Sequence, residues 1–170
     1  MKRLPFAATL LTLTMSTCAQ DEAEAGAGDM HLEVEFAVDV PMFGFDAGLG
    51  VDAGANLCLA LSDRWIATVG FDVIPHLERR DERLVQVPIT LGARYQLDDL
   101  YVFGQAGLNI INTSSDAVDG STTSTVATNI GIGYALGPVN FIGSVMVSDI
   151  EHPDETIQVL NGLQLPFVAF

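Results

Sequence analysis

From Phe45 to Leu61 the odd-numbered residues are Phe45, Ala47, Leu49, Val51, Ala53, Ala55, Leu57, Leu59 and Leu61. The even-numbered ones are Asp46, Gly48, Gly50, Asp52, Gly54, Asn56, Cys58 and Ala60. Side chains of a strand point alternately to its two faces, so this period of two predicts a β-strand with one apolar face and one small, polar face. The alternation recurs along the chain. Leu32, Val34, Phe36 and Val38 oppose His31, Glu33, Glu35, Ala37 and Asp39; Trp65, Ala67, Val69, Phe71 and Val73 oppose Ile66, Thr68, Gly70 and Asp72. Val85 to Tyr95 sets Val and Ile against Gln86, Pro88, Thr90, Gly92 and Arg94, and Leu100 to Ile111 sets Val102, Ala106, Leu108 and Ile110 against Gln105, Gly107 and Asn109. Further strands are predicted over Val126–Leu136, over Val139–Ser148, where Ile142 and Met146 blur the pattern, and over Thr156–Val168, the least regular. No pattern of period 3.6 competes, so the chain reads as all-β with eight strands.

The connections decide how these strands are arranged. Ser62-Asp63-Arg64, Gln96 to Asp99 and Gly137-Pro138 are tight, whereas 40–45, 74–83, 112–124 and 149–155 are long. Short and long links alternate, which places all short turns at one end of a meander and all long loops at the other. Several strands are long enough to cross the ~25 Å apolar band of an outer membrane when tilted. The polar face is mostly Gly, Ala, Asn, Ser, Thr and Gln with isolated acids, which suits the crowded bore of an eight-stranded barrel better than a solvated surface. Trp65, Tyr95, Tyr101 and Tyr134 stand beside the short turns and Phe43, Phe45 and Phe71 towards the other end, as two interfacial girdles would. The expectation is a closed eight-stranded antiparallel up-and-down transmembrane β-barrel.

Composition narrows function. The 170-residue chain has a formal net charge of -15 and, beyond Lys2 and Arg3, only five basic residues: Arg64, Arg79, Arg80, Arg83 and Arg94. So acidic a surface repels phosphate backbones, and nucleic acid is not an expected partner. Residues 1–19 have the basic start, short apolar stretch and small-residue exit of a secretory signal peptide. Cleavage after Ala19 fits best, with Ala25 and lipidation at Cys18 as alternatives. An acidic leader, 20–29, then precedes a barrel domain over 30–170. With the signal removed only Cys58 is left, so no intramolecular disulfide forms.

Candidate chemistry is sparse. Glu33 and Glu35 at the start of the first strand and Arg94 at the end of the fourth share the inward face near the short-turn end. Buried carboxylates need partners, so an internal pair between Arg94 and Glu33 or Glu35 is expected, with Asp52 joining through water. Glu78, Asp81 and Glu82 with Arg79, Arg80 and Arg83 form a solvated loop cluster whose arginines suit lipopolysaccharide phosphates. His31, His76 and His152 recur at no metal-ligand spacing, and Gly48-Leu49-Gly50 lacks the helix a nucleotide loop requires. No catalytic, cofactor-binding or metal-binding residue is assigned.

The stretch VPITLGARYQLDDLYVFGQAGLNI (87–110) resembles the small Gram-negative outer-membrane barrels of the OmpA/OmpX-like and opacity type, and the terminal Phe170 resembles the aromatic end read by the barrel-assembly machinery. Counting back by twos from Phe170 meets Val168, Pro166, Gln164 and Gly162, not the apolar row such a signal usually keeps. The resemblance implies a monomer in outer-membrane lipid and lipopolysaccharide, with a structural, adhesive or narrow porin-like role and no catalysis. The rivals are a soluble secreted or periplasmic barrel binding an apolar ligand inside, and a lipid A-modifying barrel enzyme. Fractionation separates membrane from soluble readings: the barrel is expected in outer-membrane fractions with heat-modifiable gel mobility, whereas a chain soluble without detergent supports the soluble rival.

Overall fold

The computed structural model describes residues 27–42, 48–77, 82–115, 118–153 and 156–169. Eight strands follow in order: β1 Met30–Pro41, β2 Gly50–Ala60, β3 Trp65–Pro75, β4 Glu82–Leu97, β5 Leu100–Ser115, β6 Val118–Leu136, β7 Val139–Val147 and β8 Ile157–Ala169. Each pairs antiparallel with its sequence neighbour, and β1 pairs with β8 to close the barrel. The turns after β4 and β6 hold two residues each, and Asp98 and Gly137 make them with φ of 55° and 63°.

The predicted faces order the wall. Leu91 and Ile130 are each 67% exposed, and Phe36, Val51, Val69, Phe71, Ile132 and Val145 share the same outer belt. Fully burying such a side chain is worth ~1.5–3 kcal/mol, so the belt calls for an apolar solvent around the barrel. The inner row is Glu33, Glu35, Asp39, Asp52, Asn56, Thr68, Gln86, Thr90, Arg94, Asn109, Ser144, Gln158 and Gln164, all buried. Ile142 and Met146, which blurred the seventh strand, are buried on that inner row too.

Some expectations change. Tyr101 is not a girdle residue: it is 1% exposed and lies inside the lumen. The two-residue turn pairs Leu97 with Leu100, so β5 leaves the turn with Leu100 and Val102 outward and Tyr101 inward. Within the stretch expected as a long third loop, Asn112 pairs with Thr122 and Thr113 with Ser121, and the β-branched threonines there suit an extended ladder. The β4–β5–β6 wall therefore stands taller than the rest. At the other end Gly28 and Asp29, expected in the leader, already hydrogen-bond to Ala60. The second strand begins at Gly50, and residues 45–47 of its expected start, like Phe43, the signal segment and Phe170, lie outside the described residues.

The irregular last strand is explained by register. Glu33 pairs with Pro166 but Leu32 with Val168, so one extra residue is inserted in β8. That slip reverses the parity, and above it Leu163 and Leu165 take the outward row while Gln164 and Leu160 turn inward.

Inside, space is set by glycine. A Cβ on Gly133 would collide with the Tyr101 ring. Gly133→Ala is expected to lower stability by ~1–3 kcal/mol through overpacking, and a second change, Tyr101→Leu, to recover part of it. Urea unfolding in detergent micelles measures this; unchanged midpoints would mean that the ring moves aside freely.

Candidate functional site in the barrel lumen

Three tiers of polar side chains fill the bore. In the tier nearest the short turns, Arg94 donates from Nη1 to Glu33 Oε1 at 2.8 Å and from Nη2 to Glu33 Oε2 at 2.5 Å. This fork-on-fork geometry is the strongest form of the pair. The guanidinium carbon lies 4.3 Å from the Tyr101 ring centroid. Tyr101 Oη donates to Gln164 Oε1 at 2.7 Å, and Gln164 Nε2 donates to Glu35 Oε2, also at 2.7 Å. Asn56 Nδ2 donates to the same Glu35 oxygen at 3.2 Å. Five strands, β1, β2, β4, β5 and β8, are thereby tied across the lumen.

Asp52 makes no direct side-chain bond into this network. It pairs in register with Ala37 in the middle tier, and the charges acting on it, those of Asp72, Glu35 and Asp39, are all negative. Strand rise explains the separation, since each two-residue step along one face moves a side chain by ~6.6 Å. Asp72, opposite Gly54, is the acid that the sequence reading left without a role. One carboxylate oxygen of Asp52 and one of Asp72 have no hydrogen-bond partner.

The tier nearest the long loops is built from amides. Asn109 Nδ2 donates to Gln86 Oε1 at 2.8 Å. Gln86 Nε2 in turn lies 2.8 Å from His76 Nε2 and donates to Gln158 Oε1 at 2.9 Å. Gln158 also accepts from the Ser148 hydroxyl and donates to Asp39. His76 Nδ1 donates to the Gly48 carbonyl at 3.0 Å, so the imidazole pins the loop before β2 onto the chain just after β3. His76 was expected only as a loop residue; its side chain is buried among the lumen amides.

The other singled-out residues lie on the exterior. Trp65, Tyr95 and Tyr134 face outward beside the short turns, with the Trp65 and Tyr95 rings 4.9 Å apart and Arg64 donating to Tyr95 Oη at 3.3 Å. Arg83 is exposed at the loop end of β4, and Arg79 and Arg80 lie outside the described residues. In the last loop the Glu151 amide donates to Asp149 at 2.9 Å and holds that carboxyl below the usual range, with His152 contributing. Among the described residues, His31, Glu33 and Cys58 bring three potential metal ligands within 4.8 Å of one another. Their spacing in sequence hid this, because only the β1–β2 register sets Cys58 opposite His31.

No protein-family model matches the chain, and no curated protein does. Solved structures do. The attachment invasion locus protein Ail of Yersinia pestis aligns over 84% of this chain and 99% of its own, at 12% identity and a TM-score of 0.59. The N-terminal barrel domain of Pseudomonas aeruginosa OprF aligns over 86% and 100%, at 18% identity and a TM-score of 0.51. A de novo designed transmembrane β-barrel aligns over 85% and 100%, at 17% identity and a TM-score of 0.53. A designed sequence in this set makes the point that physical pattern, more than ancestry, defines the likeness. With its apolar belt, polar bore and closed eight-stranded meander, the chain has the fold of the small outer-membrane β-barrels.

Proposed function

We propose that the protein is an integral outer-membrane barrel with a closed bore that works through its wall and its loop-end surface, as a structural and surface-contact element without catalysis. The observation that carries this reading is the double closure of the lumen, by the Arg94–Glu33–Gln164–Tyr101 tier at one end and the His76–Gln86–Gln158–Ser148 tier at the other. Ties at both ends support a role other than solute passage. The belt fixes the solvent as lipid, and a closed sheet has no edge to pair with a second copy, which favours a monomer.

The surface available for contact is the tall β4–β5–β6 wall, where Ser121, Thr122, Thr123 and Ser124 are exposed, and the loops around it. Ail bears attachment in its name and has been solved with the heparin analogue sucrose octasulfate, a polyanion. With a net charge of -15, any contact with an anion here falls to the few arginines of the loop end. Anionic lipopolysaccharide phosphates would meet Arg79, Arg80 and Arg83, and the C-terminal strand with Phe170 would meet the assembly machinery. Among the described residues, the hydroxyl beside the Asp149–His152 pair, that of Thr156, is turned to the Asp149 and His152 main-chain carbonyls and not to the imidazole.

A second reading, slow cation passage, draws on the inward acids Glu35, Asp39, Asp52 and Asp72. Planar-bilayer recording distinguishes the two. The closed-bore reading expects no steady conductance from the wild-type chain and a cation-selective one from Arg94→Ala, which removes the lower tie. Arg94→Ala is also expected to cost ~3–5 kcal/mol, because Glu33 is left buried and unpaired, whereas the double change Glu33→Gln with Arg94→Met costs less. Steady wild-type conductance would favour passage over closure.

A further inference from the structure

We propose that His31, Glu33 and Cys58 form a binding site for a divalent metal ion of the zinc class at the short-turn end of the lumen. His31 and Glu33 are two residues apart on β1 and so share its inner face, and Cys58 is the direct β1–β2 ladder partner of His31. Directly opposed side chains start ~4.5–5.5 Å apart at Cβ, which lets three short or medium side chains converge on one point. Their ligand atoms lie within 4.8 Å of one another, and His31 Nε2 is 3.2 Å from Glu33 Oε1. Metal–ligand bonds of ~2.0–2.3 Å at tetrahedral angles put ligand atoms ~3.3–3.8 Å apart, so the His–Glu edge is nearly set and only the thiol must close in. A thiol, an imidazole and a carboxylate together suit zinc better than the hard ions calcium and magnesium, which take oxygen.

Four features fit an ion there. Arg94 grips both oxygens of Glu33, leaving Oε1 a lone pair for a metal, and so orients the carboxylate as outer partners of metal ligands do. Glu35, held by Asn56 and Gln164, supplies a further negative charge one step along β1. A dication, with Cys58 as thiolate, would balance the carboxylates of Glu33 and Glu35 together with the Arg94 guanidinium. The Cys58 thiol hydrogen-bonds to the Glu33 carboxylate, so two of the three groups are already in contact, and its sulfur is 3.9 Å from the Asn56 carbonyl. Binding forms a metal–sulfur bond and releases the thiol proton to solvent, with nothing oxidised or reduced. The His31 side chain, 24% exposed, leaves a way in from the short-turn mouth.

The test uses the full chain refolded in detergent, stripped with chelator and titrated with Co²⁺, whose thiolate charge-transfer and d–d bands report sulfur ligation and tetrahedral geometry. The wild type is expected to show both bands and to lose them on adding Zn²⁺. Cys58→Ser and His31→Asn should each lose the bands while keeping heat-modifiable mobility. Cys58→Ser retains Cys18, so persistence of the bands in that variant would overturn the site, as would their absence from the wild type. Should Cys58→Ser fail to fold, His31→Asn decides alone: a Zn²⁺-induced rise in melting temperature in the wild type that is abolished by His31→Asn supports the site, and one that survives overturns it.

Discussion

The structure depends on one constraint, that hydrocarbon offers no hydrogen-bond partner to a backbone amide. Each strand must therefore be paired on both sides, and eight strands satisfy this only by closing β1 onto β8. Closure divides the molecule into a lipid side and an inner side with no shared edge. Polar side chains then have one place to go, a bore too narrow for them to stay hydrated, and they satisfy one another there or not at all. The lumen networks are consequences of the same constraint that sets the fold.

Much of this was legible because a strand has a period of two. Parity alone put Glu33, Glu35, Asp52 and Arg94 on one side of the wall, and alternating turn lengths placed Arg94 at the same end as Glu33. Parity also contained the position of Tyr101, which shares the odd-numbered row of Gln105, Gly107 and Asn109 on β5. Nearness to a turn made it look like an interface aromatic, but nearness to a turn says nothing about which face a ring takes. Period-two reasoning orders residues along a strand, whereas contacts across the bore depend on stagger between strands. Thus Asp52, on the correct face, proved a tier away from Arg94, while His31 and Cys58, unrelated by spacing, are ladder partners. The slip at Leu32/Glu33 was illegible for a related reason: a bulge inverts the parity beyond it, and the count from Phe170 crosses that inversion.

Glycine distribution is the complement of these networks. Gly54 leaves room for the Asp72 carboxylate, Gly70 for Thr90 and Asn56, and Gly133 for Tyr101, each opposite a larger side chain. The small residues of the inner row are therefore the volume into which the polar tiers fit. The alternation first visible between Phe45 and Leu61 mixes acids with glycines for that reason.

The two closures differ in chemistry, and the difference follows from where each stands. At the short-turn end an ion pair is shielded by Tyr101 and by the Glu33 and Arg94 stems, away from bulk salt, where a bidentate contact keeps its strength. At the long-loop end the ties are mostly neutral amide, imidazole and hydroxyl groups, with Asp39 the one carboxylate, and neutral hydrogen bonds are little affected by ionic strength. Between the tiers, Asp52 and Asp72 keep oxygens without partners in a region that neither closure reaches. Among the described residues one arginine and five acids, Glu33, Glu35, Asp39, Asp52 and Asp72, face inward, and the arginine stands with Glu33 at the short-turn end while Asp39 lies 3.4 Å from His76 at the other.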